Sequence, residues 1–144
     1  MKNVILFIAI AIVSINFGSC GNATTQAKEN NPIEVIESVP TIHILYFHCE
    51  RRCPTCIKVG EVSQNLYTTK FADNKNVSYK DINVDKEENK SLAEKYQVTG
   101  SALIIDVNGE VKNITVDAFK YARTDPAKLE TIIAELIEKG LKNS

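Results

Sequence analysis

Hydrophobic residues occur along this chain in short runs whose spacing alternates between that of a strand and that of a helix. Residues 41–47 (TIHILYF) are β-branched and aromatic, which predicts a short buried strand. A helix is predicted next, from Pro54 to about Ala72, because proline is favoured in a first helical turn and apolar residues then recur at near-helical spacing. That apolar face consists of Ile57, Val62, Leu66 and Phe71.

The middle of the chain continues this alternation. Residues 76–84 predict a second strand, and residues 85–97, which begin with several acidic residues, predict a second helix. The expected buried face of that helix consists of Leu92, Ala93 and Tyr96.

Two further strands and a last helix complete the order. Residues 101–107 and 110–116 predict strands joined by a hairpin turn at Asn108-Gly109. A final helix is predicted to begin at Asp125-Pro126 and to end at Gly140. The order β-α-β-α-β-β-α predicts an α/β fold with a central mixed sheet flanked by helices. The core-facing residues of the last helix are Leu129, Ile132, Ile133, Leu136 and Ile137.

The first residues of the chain follow a different pattern. Within residues 1–19, Lys2 precedes an apolar run from Val4 to Phe17, which is the layout of a secretory signal peptide. This run is shorter than the roughly 20 apolar residues of a transmembrane helix. It is followed by Gly18-Ser19-Cys20, which resembles the lipobox of bacterial lipoproteins. An uncleaved membrane anchor with an incidental cysteine is the alternative interpretation.

The lipobox interpretation divides the chain into three parts. Residues 1–19 are the signal peptide, residues 20–32 are the lipidated amino terminus and a flexible polar tether, and residues 33–144 are the folded domain. Acylated Cys20 would attach the protein to the lipid bilayer. We therefore expect a membrane-anchored lipoprotein that is extracytoplasmic, on the periplasmic side, where disulfides persist.

The composition is that of one globular domain and excludes some classes of function. The 144 residues are 44% hydrophobic and 24% charged, with a net charge of −1. A charge so close to zero does not attract a phosphate backbone, so no nucleic-acid partner is expected. No glycine-rich phosphate-binding loop is present, and no cofactor is expected.

The candidate chemistry lies in Cys53-Pro54-Thr55-Cys56, which opens the first predicted helix directly after a strand. A thiol attacks as thiolate, and the helix amino end, the preceding Arg51 and Arg52, and a Cys56 S–H donor are all expected to lower the pKa of Cys53. Cys56, one turn later, can resolve a mixed disulfide formed at Cys53. Cys53 is thus the candidate attacking thiol and Cys56 the resolving thiol. A structural disulfide or two buried thiols are the alternative.

These features resemble the thioredoxin family, through the placement of the C-x-x-C and through Tyr96-Gln97-Val98 before a strand, an Asn-Gly turn and a strand. More narrowly, Tyr46-Phe47-His48 followed by Arg52-Cys53-Pro54-Thr55-Cys56 is similar to the bacterial ArsF-type thioredoxin-like subfamily. The resemblance covers about residues 41–141. It implies a thioredoxin-like fold and a thiol–disulfide oxidoreductase. Its partners would be a protein disulfide or dithiol and a membrane electron-transfer protein.

The chain departs from the thioredoxin pattern at two places. Thioredoxins have a cis-proline before the strand that faces the C-x-x-C, whereas the corresponding loop here is Thr99-Gly100-Ser101, which is expected to face the substrate. Thioredoxins also commonly bury an aspartate beneath the active site as a proton relay, but the first predicted strand has no acid. Glu50 or solvent is expected to transfer protons instead.

Cys49 and His48 extend the motif and leave alternatives open. Cys49 is either an unpaired thiol or a third redox thiol that forms a disulfide with Cys53. His48 either tunes the pKa of the thiolate through a hydrogen bond or faces water. Sulfur and imidazole ligands suit zinc or Cu(I), so binding or transfer of a soft metal is the alternative function. Its ligands would be Cys49, Cys53, Cys56 and His48.

Overall fold

A computed structural model describes residues 41–143 of the chain. The predicted signal peptide at residues 1–19, the lipidation site Cys20 and the tether at residues 20–32 lie outside the described residues. Within residues 41–143, no helix is long and apolar enough to cross a membrane.

The described part of the chain contains four strands and four α-helices. A π-helical turn at Tyr67–Phe71 extends the first helix, and a 3₁₀ turn at Glu87–Asn89 precedes the second. In chain order the elements are β1 (Ile42–His48), α1 (Pro54–Leu66), β2 (Val77–Asn83), α2 (Lys90–Lys95), β3 (Ala102–Val107), β4 (Glu110–Asn113), α3 (Thr115–Tyr121) and α4 (Pro126–Lys142).

The strands form one mixed sheet in the order β2-β1-β3-β4. β1 pairs in parallel with β2 and antiparallel with β3, and β3 pairs antiparallel with β4. The hairpin turn is where the sequence predicts it, because Asn108 and Gly109 both have the positive φ angles that a two-residue turn requires. The predicted fold class is confirmed: the protein is an α/β protein with a central mixed sheet flanked by helices.

Helices cover both faces of the sheet and bury its central strand. α1, α3 and α4 pack on the face to which Ile44 and Tyr46 point, and α2 packs on the face of Leu45 and Phe47. Because β1 is covered on both sides and flanked by β2 and β3, its residues are almost all apolar and buried. Its last residue, His48, therefore lies at the edge of the core, where the loop to α1 begins.

The predicted strand 110–116 is too long, and the sequence reasoning missed a helix. β4 ends at Asn113, and α3 begins at Thr115. The Asn113 side chain accepts a hydrogen bond from the Thr115 backbone N–H, which turns the chain at this point. Val116, whose β-branched side chain suggested a strand, is 81% exposed, whereas Ala118 and Ala122 on the inner side of the helix are fully buried.

The predicted end of the last helix at Gly140 is also wrong, since α4 continues to Lys142. Gly140 lies where the helix packs closely on the sheet. A Cβ atom at this position would lie 2.5 Å from a methyl carbon of Val107 and 3.0 Å from one of Ile42. The glycine therefore serves close packing of helix on sheet. The predicted start of the helix is confirmed, because Asp125 caps it by accepting the Lys128 backbone N–H.

The predicted faces of the first two helices need smaller corrections. Ile57 is 44% exposed and does not belong to the core, whereas Val59 is fully buried in its place. The α-helical part of the second helix is shorter than the predicted 85–97, but Ala93 and Tyr96 are buried as expected.

Candidate active site

The candidate site lies where β1 ends and α1 begins. Cys53 is the N-cap residue of α1, and Pro54 takes the first helical position, where a missing N–H costs nothing. The Cys53 sulfur accepts a hydrogen bond from the Cys56 backbone N–H at 3.2 Å, as N-cap side chains do. Cys53 is exposed, whereas Cys56 is only 7% exposed. A partner molecule can thus reach the first thiol but not the second.

The two sulfurs of the C-x-x-C pair are in direct contact. Cys53 Sγ lies 2.6 Å from Cys56 Sγ, so a disulfide between them needs only a small side-chain movement. The hydrogen bond from the Cys56 thiol is the largest cause that lowers the pKa of Cys53, and the Cys56 backbone N–H is the next. The site therefore favours a thiolate on the exposed sulfur, as the sequence predicts.

Tyr46 fixes the first turn of α1 to the central strand. Its side-chain hydroxyl donates a hydrogen bond to the Cys56 carbonyl at 2.6 Å, and its ring is fully buried. Burial raises the pKa of Tyr46 to about 12, so the phenol keeps its hydrogen and remains a donor at neutral pH. Gly60, one turn after Cys56, makes room for the ring, because a Cβ atom there would lie 2.6 Å from Tyr46 Cε1. The position of the buried thiol thus depends on the contact between β1 and α1.

Ser101 faces the buried thiol. Since β3 runs antiparallel to β1, the beginning of β3 lies beside the end of β1, and the loop Thr99-Gly100-Ser101 reaches the dithiol. The Ser101 hydroxyl donates to Cys56 Sγ at 3.6 Å, a normal length for a bond to sulfur. The structure thus brings this loop to the dithiol.

His48 has oxygen partners at both ring nitrogens. Nδ1 donates to the Cys49 carbonyl at 2.9 Å, and Nε2 lies 2.5 Å from a carboxylate oxygen of Asp81 on β2. Both partner atoms are oxygens that accept hydrogen bonds, a backbone carbonyl and a carboxylate. The structure thus directs the ring to these oxygens and not to the thiolate, and His48 is buried and does not face water.

The other residues predicted to act on the thiols have different surroundings. The guanidinium of Arg52 lies 3.8 Å from Asp81, and Arg51 is exposed. The contribution expected of these two arginines is not among the causes that lower the pKa of Cys53. Cys49 is a half-buried free thiol. The Glu50 carboxylate accepts a hydrogen bond from the Asn83 amide at 2.6 Å.

The ligand set of the alternative function is not gathered around one point. Among residues 41–143, no group of three or more His, Cys, Asp or Glu side chains is arranged to hold a metal ion. The contacts of His48 explain this in part, because both of its ring nitrogens face oxygen atoms of Cys49 and Asp81 and not the thiols.

Sequence reasoning missed Asp81 and Arg123. Asp81 lies opposite Tyr46 in the register of β1 and β2, which places it on the same face of the sheet as His48. Arg123 lines a shallow depression of about 220 Å³ together with Pro54 and Ile57 of α1. The signal for Asp81 is an acid in a strand predicted to be parallel to β1. Arg123 gave no signal, because α3, the helix that precedes it, was itself missed.

No protein-family model and no curated protein matches the chain. Among solved structures, it is similar to Trxlp from Edwardsiella tarda EIB202, with 17% identity over 67% of this chain and 85% of that chain, at a TM-score of 0.49. It is also similar to Fasciola hepatica thioredoxin, with 19% identity over 65% of this chain and 79% of that chain, at a TM-score of 0.45. A thioredoxin from Thermus thermophilus has 22% identity over 69% of this chain and 75% of that chain, at a TM-score of 0.36.

Proposed function

We propose that this protein is a membrane-anchored, extracytoplasmic thiol–disulfide oxidoreductase that reduces disulfides of a partner protein. The observation that carries the proposal is the contact between an exposed Cys53 sulfur at a helix amino end and a shielded Cys56 sulfur 2.6 Å away. The Cys53 thiol is accessible and is stabilised as the thiolate, whereas the Cys56 thiol is shielded from partner molecules until a mixed disulfide forms at Cys53. The dithiol of this chain, and not its similarity to other proteins, is the basis of the proposal.

Each reaction cycle transfers two electrons from the dithiol to the partner. The Cys53 thiolate attacks one sulfur of the partner disulfide, so that a Cys53–partner bond forms and the other partner sulfur leaves as a thiolate. Cys56 then loses its proton to solvent and attacks Cys53 Sγ. The Cys53–Cys56 disulfide forms, and the second partner sulfur leaves as a thiolate. The two partner thiolates take up protons, and the protein is left oxidised.

Ser101 and Tyr46 support the second step. Cys56 is buried, and burial disfavours its charged form unless donors are present. The Ser101 hydroxyl donates to its sulfur, and the Tyr46 hydroxyl holds its backbone. We propose that Ser101 stabilises the Cys56 thiolate at the moment of attack and that Tyr46 positions it.

The proposed cellular location follows from the first residues of the chain. A signal peptide at residues 1–19 and an acylated Cys20 would anchor the domain to a bilayer on the periplasmic side. A membrane electron-transfer protein would then restore the dithiol. Membership of the ArsF-type subfamily belongs to this proposal, and it is supported by the motif Tyr46-Phe47-His48 followed by Arg52-Cys53-Pro54-Thr55-Cys56.

A pair of cysteine variants tests the reaction. The reduced protein is mixed with insulin, and disulfide reduction is followed together with the metal content of the protein. We expect Cys53→Ser to abolish reduction. We expect Cys56→Ser to accumulate a mixed disulfide at Cys53, because attack proceeds and resolution does not. Equal reduction by the wild type and Cys53→Ser, or tight stoichiometric metal without turnover, would overturn the proposal.

A further inference from the structure

We propose that the surface around Cys53 selects partner proteins whose reactive disulfide is flanked by acidic residues. This inference rests on the proposed reduction of a protein disulfide and names the class of partner. It follows from where the chain places its arginines and from an exposed apolar residue beside them.

The chain has three arginines, two directly before Cys53 in sequence and one in a depression next to the first turn of α1, and its lysines are spread along the chain. Arg51 and Arg52 directly precede Cys53, and Arg123 lines the same depression as Pro54, the residue that follows Cys53. Arginine binds carboxylates in a bidentate manner and is enriched in protein interfaces, which lysine is not. The placement therefore indicates recognition of carboxylates close to the attacking sulfur.

The acidic residues near the site leave two of these arginines available. Glu61 is paired with Lys58 at 3.1 Å, and Asp81 is paired with His48 and lies 3.8 Å from Arg52. Within residues 41–143, Arg51 and Arg123 form no ion pair, and both are exposed. Their guanidinium groups can bind acidic residues of a partner without first breaking an internal ion pair.

An exposed apolar residue lines the same depression as Arg123. Ile57 follows Cys53 by four residues, so both lie on the same side of α1, and Ile57 is 44% exposed. With Pro54, Lys58, Glu61 and Arg123 it lines the depression of about 220 Å³. A partner chain that brings its disulfide to Cys53 would cover Ile57, so an apolar side chain beside the disulfide would be buried there while acidic neighbours reach Arg51 and Arg123.

Matched disulfide-linked peptides test this selection. Three peptides differ only in the residues on either side of the cysteine, which are glutamate, serine or lysine. The measured quantity is the second-order rate constant for oxidation of the reduced full-length protein by each peptide. At low salt we expect the glutamate peptide to react about tenfold or more faster than the lysine peptide, and this ratio to shrink as salt screens the charges.

Two arginine variants and a distant control show which residues cause the preference for the glutamate peptide. Arg51→Gln and Arg123→Gln should each lower the glutamate-to-lysine rate ratio about threefold or more, which is the loss of one charge-assisted contact. Lys75→Gln is the control, since it removes the same charge from an exposed residue before β2, at the end of the sheet away from the dithiol. It should leave the ratio within about twofold, as expected for a charge beyond the screening length.

The outcomes separate this inference from the proposed function. Equal rates for the glutamate and lysine peptides would overturn the acidic-partner inference. An equal loss of the rate ratio in Lys75→Gln and Arg123→Gln would also overturn it. In either case, reaction with the serine peptide would still uphold disulfide reduction. Failure of all three peptides to oxidise the dithiol would overturn both.

Discussion

Cys56 forms the two hydrogen bonds that do most to lower the pKa of Cys53, one through its thiol and one through its backbone N–H. The pKa of Cys53 is lowered, so its thiolate appears at a lower pH than that of an ordinary cysteine, whose pKa is about 8.5. Alkylation requires the thiolate, so the rate at Cys53 should rise with pH and reach half its maximum below that value. Cys56→Ala removes the largest cause of the shift, and the midpoint should move up towards about 8.5.

The measurement for this prediction is the rate of iodoacetamide alkylation at Cys53, followed by mass spectrometry between pH 5 and 10. Cys49→Ala is the control, because it removes a neighbouring thiol and keeps both donors to the Cys53 sulfur. Identical midpoints in the wild type and Cys56→Ala would show that the sulfur contact does not set the pKa of Cys53.

The hydroxyl of Tyr46 is a second residue-scale determinant of the site. Tyr46→Phe leaves the ring in place and removes the donor to the Cys56 carbonyl. Loss of a buried hydrogen bond of this kind costs about 1 kcal/mol, and we expect the free energy of unfolding in urea to fall by that amount. Tyr67→Phe, which removes a hydroxyl from a half-buried ring against the same core, should cost less than about 0.5 kcal/mol. Equal losses in the two variants would contradict a structural role for the Tyr46 hydroxyl.

At the scale of elements, the sequence correctly predicts the strands, helix starts and turns that have a local physical cause. The β-branched run of β1, the Pro54 start of α1 and the Asn108-Gly109 turn each have a local physical cause, and each is found where the sequence places it. Tertiary packing decides the elements that local patterns do not predict, such as α3 and the end of α4. Val116 resembles a strand residue but belongs to a helix, because the buried alanines of α3 fit against the core. Gly140 resembles a helix end but lies inside α4, because the sheet leaves no room for a Cβ atom.

The same division holds for the candidate site. The two thiols and the order of their roles can be predicted from a short motif, since a C-x-x-C at a helix start requires only local geometry. The contact of His48 with Asp81 depends on the register of two strands, and the position of Arg123 depends on α3. Neither of these contacts is encoded in residues that are adjacent in the sequence.

The contact between β1 and α1 yields a prediction at the element scale. Alanine is favoured over glycine in a helix interior by about 1 kcal/mol, so Gly60→Ala would stabilise α1 if space allowed. A Cβ atom there would lie 2.6 Å from the buried Tyr46 ring, and overpacking of this kind costs about 1–3 kcal/mol. We therefore expect Gly60→Ala to lower the urea midpoint with an unchanged slope.

The matched control for this prediction is Gly100→Ala, because no heavy atom lies within 4 Å of a Cβ atom at that position. Its unfolding midpoint should remain close to that of the wild type. A midpoint for Gly60→Ala equal to or above the wild-type value would show that the ring of Tyr46 can move and that β1 does not fix the first turn of α1.

At the scale of the whole molecule, charge is distributed unevenly although its sum is small. The net charge of −1 excludes binding through a strong overall field, but it does not exclude local selection by the exposed Arg51 and Arg123. A protein confined to a membrane surface meets only partners that reach the same surface. The proposed anchor and the proposed selection of acidic partners would therefore act together to limit which disulfides are reduced.

The anchor gives the whole-molecule prediction, which concerns Cys20. If this residue is acylated, the full-length protein expressed in a Gram-negative host should be found in the membrane fraction, with a mass above that of residues 20–144 by two or more acyl chains. Each buried CH₂ of such a chain contributes about 0.8 kcal/mol, so two chains hold a protein at the bilayer that one chain would release. Cys20→Ala should leave the protein soluble or retain it as the uncleaved precursor. Cys49→Ala, which removes a cysteine outside the lipobox, should behave as the wild type. Membrane attachment of both proteins, with the wild type at the mass of the unprocessed chain and without acyl groups, would show that the anchor is the uncleaved apolar run.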